Sequence, residues 1–154
     1  MNKATKNPSS LSLSMKNMSR NGLAGAILGL FGVVLGALGA HALKGILSND
    51  ALESYKTGVY YLQWHASLIL FLAFIFKSEV TTPKYVRWGI RFFFIGIGLF
   101  TGSILGLVFL STLGLNARFL GPITPLGGFS LMLGWFCLIL HFLQRLKYRN
   151  TDVN

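Results

Sequence analysis

Acidic side chains are scarce. Only Asp50, Glu53, Glu79 and Asp152 carry carboxylates, and none falls inside the long apolar runs. Proton- and cation-coupled carriers commonly keep an ionisable group within the membrane, so small four-helix multidrug carriers are disfavoured. Cysteine is nearly absent as well. Cys137 alone excludes an intrachain disulfide and a cysteine-only metal cluster, and its apolar neighbours point to an inert, buried thiol. H-E-x-x-H, G-x-S-x-G and the P-loop are missing. Ser103, in "TGS", has no sequence neighbour that could act as its base, so no enzyme is expected.

Charge is low overall. Charged residues make up 12% of the chain, against roughly 25% in an ordinary soluble domain. Hydrophobic residues reach 53%, with 13 phenylalanines, more apolar surface than one soluble domain of this length can keep dry. The net charge of +10 does not point to nucleic acid, because the basic residues sit between apolar runs rather than on a polar face.

About 20 apolar residues cross a hydrocarbon core. Four runs qualify, at about 22–43, 58–76, 92–110 and 126–143. The expected fold is an all-α membrane protein, a compact bundle of four transmembrane helices over residues 21–144. A flexible basic arm is expected over 1–20 and a short basic tail over 145–154. Four spans put both termini on one side. That side holds eleven of the basic residues: Lys3, Lys6, Lys16 and Arg20 before the first span, Lys77, Lys84, Arg87 and Arg91 between the second and third, and Arg145, Lys147 and Arg149 in the tail. Lys44, Lys56 and Arg118 lie opposite. Cytoplasmic loops carry the excess, which predicts a cell (inner) membrane protein with both ends in the cytoplasm. Arg91 should snorkel to the interface, beside Trp88 and Tyr85 in the aromatic belt.

Small residues supply the contact pattern. In the first span Gly22, Gly25, Gly29, Gly32, Gly36 and Gly39 step by three and four along one helix stripe. In lipid such a stripe lets two backbones approach. The fourth span repeats it with Gly127, Ser130, Gly134, Cys137 and His141, and the third offers Gly98, Gly102 and Gly106 as a doubled G-x-x-x-G. One of these faces is available for a second copy or another membrane protein. Gly45 is placed to end the first helix, Asp50 and Glu53 have capping-box spacing, and Thr124 with Pro125 reads as an N-cap and first helical residue. His141 is expected to end the fourth helix beside Arg145.

The candidate site is a polar cluster of His41, Tyr61 and His65 under the outer interface. Tyr61 and His65 share a helix face, and His65 is expected about 10 Å deep at 1.5 Å per residue. Three readings stand: helix ending and hydrogen bonding, which neutral histidine tolerates; a small-molecule or proton-handling site; and two-histidine ligation of a metal or haem. The first implies no cofactor, and with the glycine stripes it implies a non-enzymatic helix-packing or accessory protein. The second implies a small channel or carrier for a solute or ion.

The blocks "GALGAHALKGILS", "YKTGVYYLQWHA", "LFTGSILGL" and "LGPITPLGGFSLMLGW" resemble, in that order, those of an uncharacterised four-span bacterial inner-membrane family that has a small eukaryotic transmembrane relative. The likeness covers about residues 22 to 144 and implies a four-helix membrane protein with no assigned activity. Its recurring polar positions correspond to His41, Tyr61, His65, Ser103 and Pro125. The family usually has Gln directly after that tyrosine; here Leu62 stands there and Gln63 follows.

Overall fold

The computed structural model describes residues 8–78 and 82–151. Lys3, Lys6, Glu79 and Asp152 lie outside them. Four helices follow one another: α1 (Pro8–Ala40), α2 (Asn49–Ile75), α3 (Lys84–Thr112) and α4 (Ile123–Thr151). Short 3-10 turns at Phe76–Ser78 and Arg118–Leu120 lead out of α2 and into α4. All four helices are long and apolar enough to cross a bilayer, so the chain is the expected all-α bundle. Neighbours in sequence are neighbours in space: α1 packs on α2, α2 on α3 and α3 on α4.

The helices outrun the apolar runs that announced them. The stretch expected to be an arm is helical from Pro8 onward. The physical reason is packing: Met18 is 2% exposed, and the Ser14 hydroxyl lies 3.3 Å from that of Thr82. At the other end α1 stops at Ala40 rather than Leu43. Gly45 is not its left-handed cap. Among the described residues the one positive φ belongs to Gly114, at 72°. There the Leu115 amide bonds the Leu110 carbonyl and the Gly114 amide that of Ser111, the double closure of a Schellman ending.

Helix starts also differ from expectation. Ser48, not Asp50, caps α2, accepting from the Ala51 amide at 3.3 Å. Asp50 sits in the first turn instead, where a carboxylate suits the positive end of the helix dipole. Helix α4 begins at Ile123, so Thr124 is inside it and its hydroxyl meets that of Ser103 at 2.7 Å. Pro125 therefore stands in the first turn rather than at its first residue. His141 does not end α4, which runs on to Thr151; it is buried, edge-on to Phe76 at 5.5 Å.

Van der Waals packing between helices holds such a bundle, since lipid tails are as apolar as leucine. Its centre is Ile69 of α2 with Val86 and Phe93 of α3, the largest side chains sealed from the surroundings. Leu62, Ile90, Ile97, Leu131 and Leu138 close around them. The α3–α4 seam is the tightest. A Cβ at Gly127 would run into the backbone of Leu99 and Phe100, and one at Gly134 would lie 2.5 Å from the Phe93 ring. The α3 glycines in this seam are Gly89 and Gly96, facing Gly134 and Leu131. Gly98 and Gly102, expected to pack, are exposed with nothing within 4 Å, and Gly106 faces Leu120.

Candidate aromatic–histidine site

Buried hydroxyls in the spans bond to the neighbouring helix. Thr101 donates to the Gly58 carbonyl at 3.0 Å, Ser130 to that of Phe92 at 2.8 Å, and Tyr55 to that of Leu35 at 2.8 Å. Among the described residues no buried polar side-chain atom lacks a partner. Each hydroxyl joins two helices without a charge, which suits a solvent that offers no replacement bond.

His65 is buried in the bundle, 6% exposed. One turn back on α2, the Tyr61 carbonyl lies 2.8 Å from Nδ1. Across the bundle, Trp135 of α4 donates its indole N–H to Nε2 at 3.3 Å. Indole is a donor only, so Nε2 must accept and Nδ1 must carry the proton it gives to Tyr61. Both ring nitrogens are thereby occupied in the neutral form. Aromatic faces complete the enclosure. The His65 centroid lies 5.4 Å from Phe93 and 6.4 Å from Trp135, which stands edge-on to it. Tyr61 stacks on His65 at 5.8 Å and meets Phe100 at 4.5 Å. Glycines make the arrangement possible: the absent side chains of Gly134 and Gly127 leave room for Phe93 and for the backbone at Phe100.

A cleft of about 610 Å³ opens from this cluster between α2 and α4, lined by Tyr61, Trp64, His65, Ser67, Leu68, Phe71 and Trp135. Its walls are almost wholly apolar, with the His65–Trp135 pair at the edge. Such a wall offers an aliphatic or aromatic occupant dispersion contacts; besides the His65–Trp135 pair, Ser67, Tyr61 and Trp64 are the lining residues that carry a polar group.

Tyr61 and His65 are together, as their spacing requires, but His41 is not with them. It is exposed in the turn after α1, its amide bonded to the Ala37 carbonyl. Because α2 starts at Asn49, well before its apolar run, His65 stands about 24 Å of helix from that end at 1.5 Å per residue. That length of helix leaves the two histidines that could have paired on a metal or haem at different levels of the bundle. Among the described residues no group of three or more potential ligands gathers for a metal. Ser103 donates to the Phe100 carbonyl at 3.0 Å and shares a hydrogen bond with Thr124, which ties α3 to α4. Arg91 lies 4.9 Å over the Trp88 ring. Cys137 is half-buried beside the Gly89 backbone.

Trp135 is the residue that sequence reasoning missed. Its chance of discovery lay in its place one position after Gly134, in a stripe already read as a contact face.

Comparison with known proteins agrees with the fold. The profile of a family described as "Protein of unknown function (DUF423)" matches residues 35–128. The UPF0382 membrane protein YwdK of Bacillus subtilis is 36% identical over 123 residues, 77% of this chain and 91% of its own length. The UPF0382 membrane protein SERP0230 of Staphylococcus epidermidis is 34% identical over 122 residues, 79% and 93% of the two chains. A eukaryotic relative, the UPF0382 membrane protein C1782.12c of Schizosaccharomyces pombe, is 34% identical over 119 residues, 75% and 94%. No solved structure matches. Four spanning helices, the match across α2 and α3 and relatives aligned over nearly their whole length make one statement: the chain is a multi-pass membrane protein of the DUF423 (UPF0382) family, whose function is unassigned.

Proposed function

We propose that the protein is a non-enzymatic helix-packing component of the cell (inner) membrane, both termini in the cytoplasm, that assembles laterally through α3 and needs no cofactor. The observation that carries this is the open G-x-x-x-G. Gly25, Gly39, Gly127 and Gly134 are filled by neighbours within the chain, whereas Gly98 and Gly102 are exposed and meet nothing within 4 Å. Glycine inside a helix costs about 1 kcal/mol relative to alanine in water, and a bare pair one turn apart is the geometry that brings two membrane helices close.

The occupant is a second copy. Two copies inserted the same way hold their α3 helices parallel, and a two-fold axis along the membrane normal sets one G-x-x-x-G against its equal. The excess of basic residues on the side of the termini supports the orientation. The occupied ring nitrogens of His65 support a structural role for the aromatic cluster rather than a solute path.

The test is energy transfer between two fluorescent-labelled populations of full-length protein in vesicles. Gly98→Leu and Gly102→Leu should abolish transfer, while Phe136→Leu on the exposed face of α4 leaves it unchanged. A monomeric wild type, or transfer indifferent to both glycine changes, overturns the reading. Transfer regained only when another membrane protein is present replaces the second copy with that partner.

A further inference from the structure

A second concavity lies at the end of the bundle that carries both termini, between the first turns of α1 and the start of α3. It measures about 620 Å³. Three arginines, Arg20, Arg87 and Arg91, line it together with Asn17 and Asn21, the Arg91 guanidinium resting over the Trp88 ring beside it. None of the described residues lining it is acidic. Two of the arginines sit where the apolar runs begin: Arg20 is two residues before Gly22, and Arg91 directly precedes Phe92. That is headgroup depth.

The floor is built rather than incidental. Ser14 and Thr82, 7% and 8% exposed, face each other at 3.3 Å across α1 and the residues before α3. Their mutual bond uses one hydroxyl proton, and the accepting hydroxyl keeps its own to give. Membrane-ward the lining changes character: Ala24 is one turn inward from Arg20, and Phe94 one residue short of a turn inward from Arg91. The groove thus carries its basic and hydrogen-bonding groups toward its outer end, interspersed with Leu13 and Met18, and is apolar at its inner end.

We infer that this groove binds one anionic phospholipid, its phosphate among Arg20, Arg87 and Arg91 and its acyl chains along Ala24 and Phe94. Arginine forks match phosphate oxygens bidentately, and basic pockets between membrane helices take phosphate headgroups. The phosphate chemistry is shared with soluble phosphate; the apolar inner half is what selects the lipid.

Full-length protein is extracted in mild neutral detergent from vesicles of equal phosphatidylglycerol and phosphatidylcholine, and retained lipid is read by native mass spectrometry. One phosphatidylglycerol should remain per chain in preference to phosphatidylcholine. Arg20→Gln, Arg87→Gln and Arg91→Gln should each lower its retention about fivefold, while Lys44→Gln and Arg118→Gln at the opposite end leave it unchanged. Circular dichroism of each single variant reports folding separately from binding. Equal retention of the two lipids, or retention indifferent to the three arginines, overturns the proposal. So does inorganic phosphate alone, if it displaces the lipid and stabilises the protein through the same arginines, since the ligand is then a soluble anion.

Discussion

The α1–α2 and α3–α4 seams are both lined with glycine, yet they are not equivalent. On α1, the atoms that crowd Gly32 belong to the Gln63 side chain, which can swing, and Gly29 has no neighbour within 4 Å. Gly39 alone meets a locked ring there, that of Tyr55 at 2.7 Å, and the nearest backbone, at Gly25, stands off at 3.1 Å. On α4, Gly127 faces backbone and Gly134 faces the ring of Phe93, which is sealed at 0% exposure. The same residue at the same spacing therefore does different work according to what stands opposite. A flexible side chain opposite makes a seam that yields. A backbone or a locked ring makes one that does not.

Adding a methyl group at each glycine breaks or sharpens that contrast, read as unfolding free energy in a fixed bilayer or detergent. Gly127→Ala should have the largest effect, a loss of about 3 kcal/mol, the upper range for overpacking, because neither Leu99 nor Phe100 can move its backbone without moving α3. Gly134→Ala should follow at about 2 kcal/mol. Gly25→Ala, whose new Cβ meets the Ala66 carbonyl oxygen and the Leu70 amide nitrogen at 3.1 Å, should cost about 1 kcal/mol. If Gly25→Ala costs as much as Gly127→Ala, the two seams are alike and the contrast fails.

The smaller effects test the centre and the loose end. Trp135→Phe keeps the aromatic enclosure and removes the bond to His65, so stability should fall by about 0.6 kcal/mol, the average for such bonds in membrane proteins. A fall of several kcal/mol instead would mean that the pair organises the core rather than joins α2 to α4. Gly32→Ala, which forces Gln63 into another rotamer, should cost about 1 kcal/mol, and Gly29→Ala should lie within about 0.5 kcal/mol of wild type; a large loss at Gly29 would reveal a neighbour outside the chain.

Fold and site were unequally legible in the sequence. The four spans could be read because uncharged runs of membrane length have few other uses. Their ends could not. The first turns of α2 are polar and those of α1 carry serine and lysine, so hydropathy reports the lipid-facing part of each helix and misses turns held by Ser48 or by the Ser14–Thr82 pair. His41 was drawn into the company of His65 because both were placed from the ends of the apolar runs, whereas His65 stands sixteen residues past the start of its helix at Asn49. Tyr61 with His65 was readable because a turn of helix fixes their separation. Trp135 was not, since its contact arises only when α4 crosses the bundle. Gly89 and Gly96 step by seven, as Gly127 and Gly134 do, and that shared step was the available signal for the α3–α4 seam. The doubled G-x-x-x-G drew attention to the opposite, open face.

The sharpest measurement concerns that open face. With Cys137→Ser removing the natural thiol, a single Leu99→Cys change places one cysteine directly after Gly98, and oxidation is carried out in native membranes. A disulfide-linked dimer through position 99 is expected, with none from Phe136→Cys on α4. Monomer at position 99, or equal linking at both positions, would contradict assembly through α3.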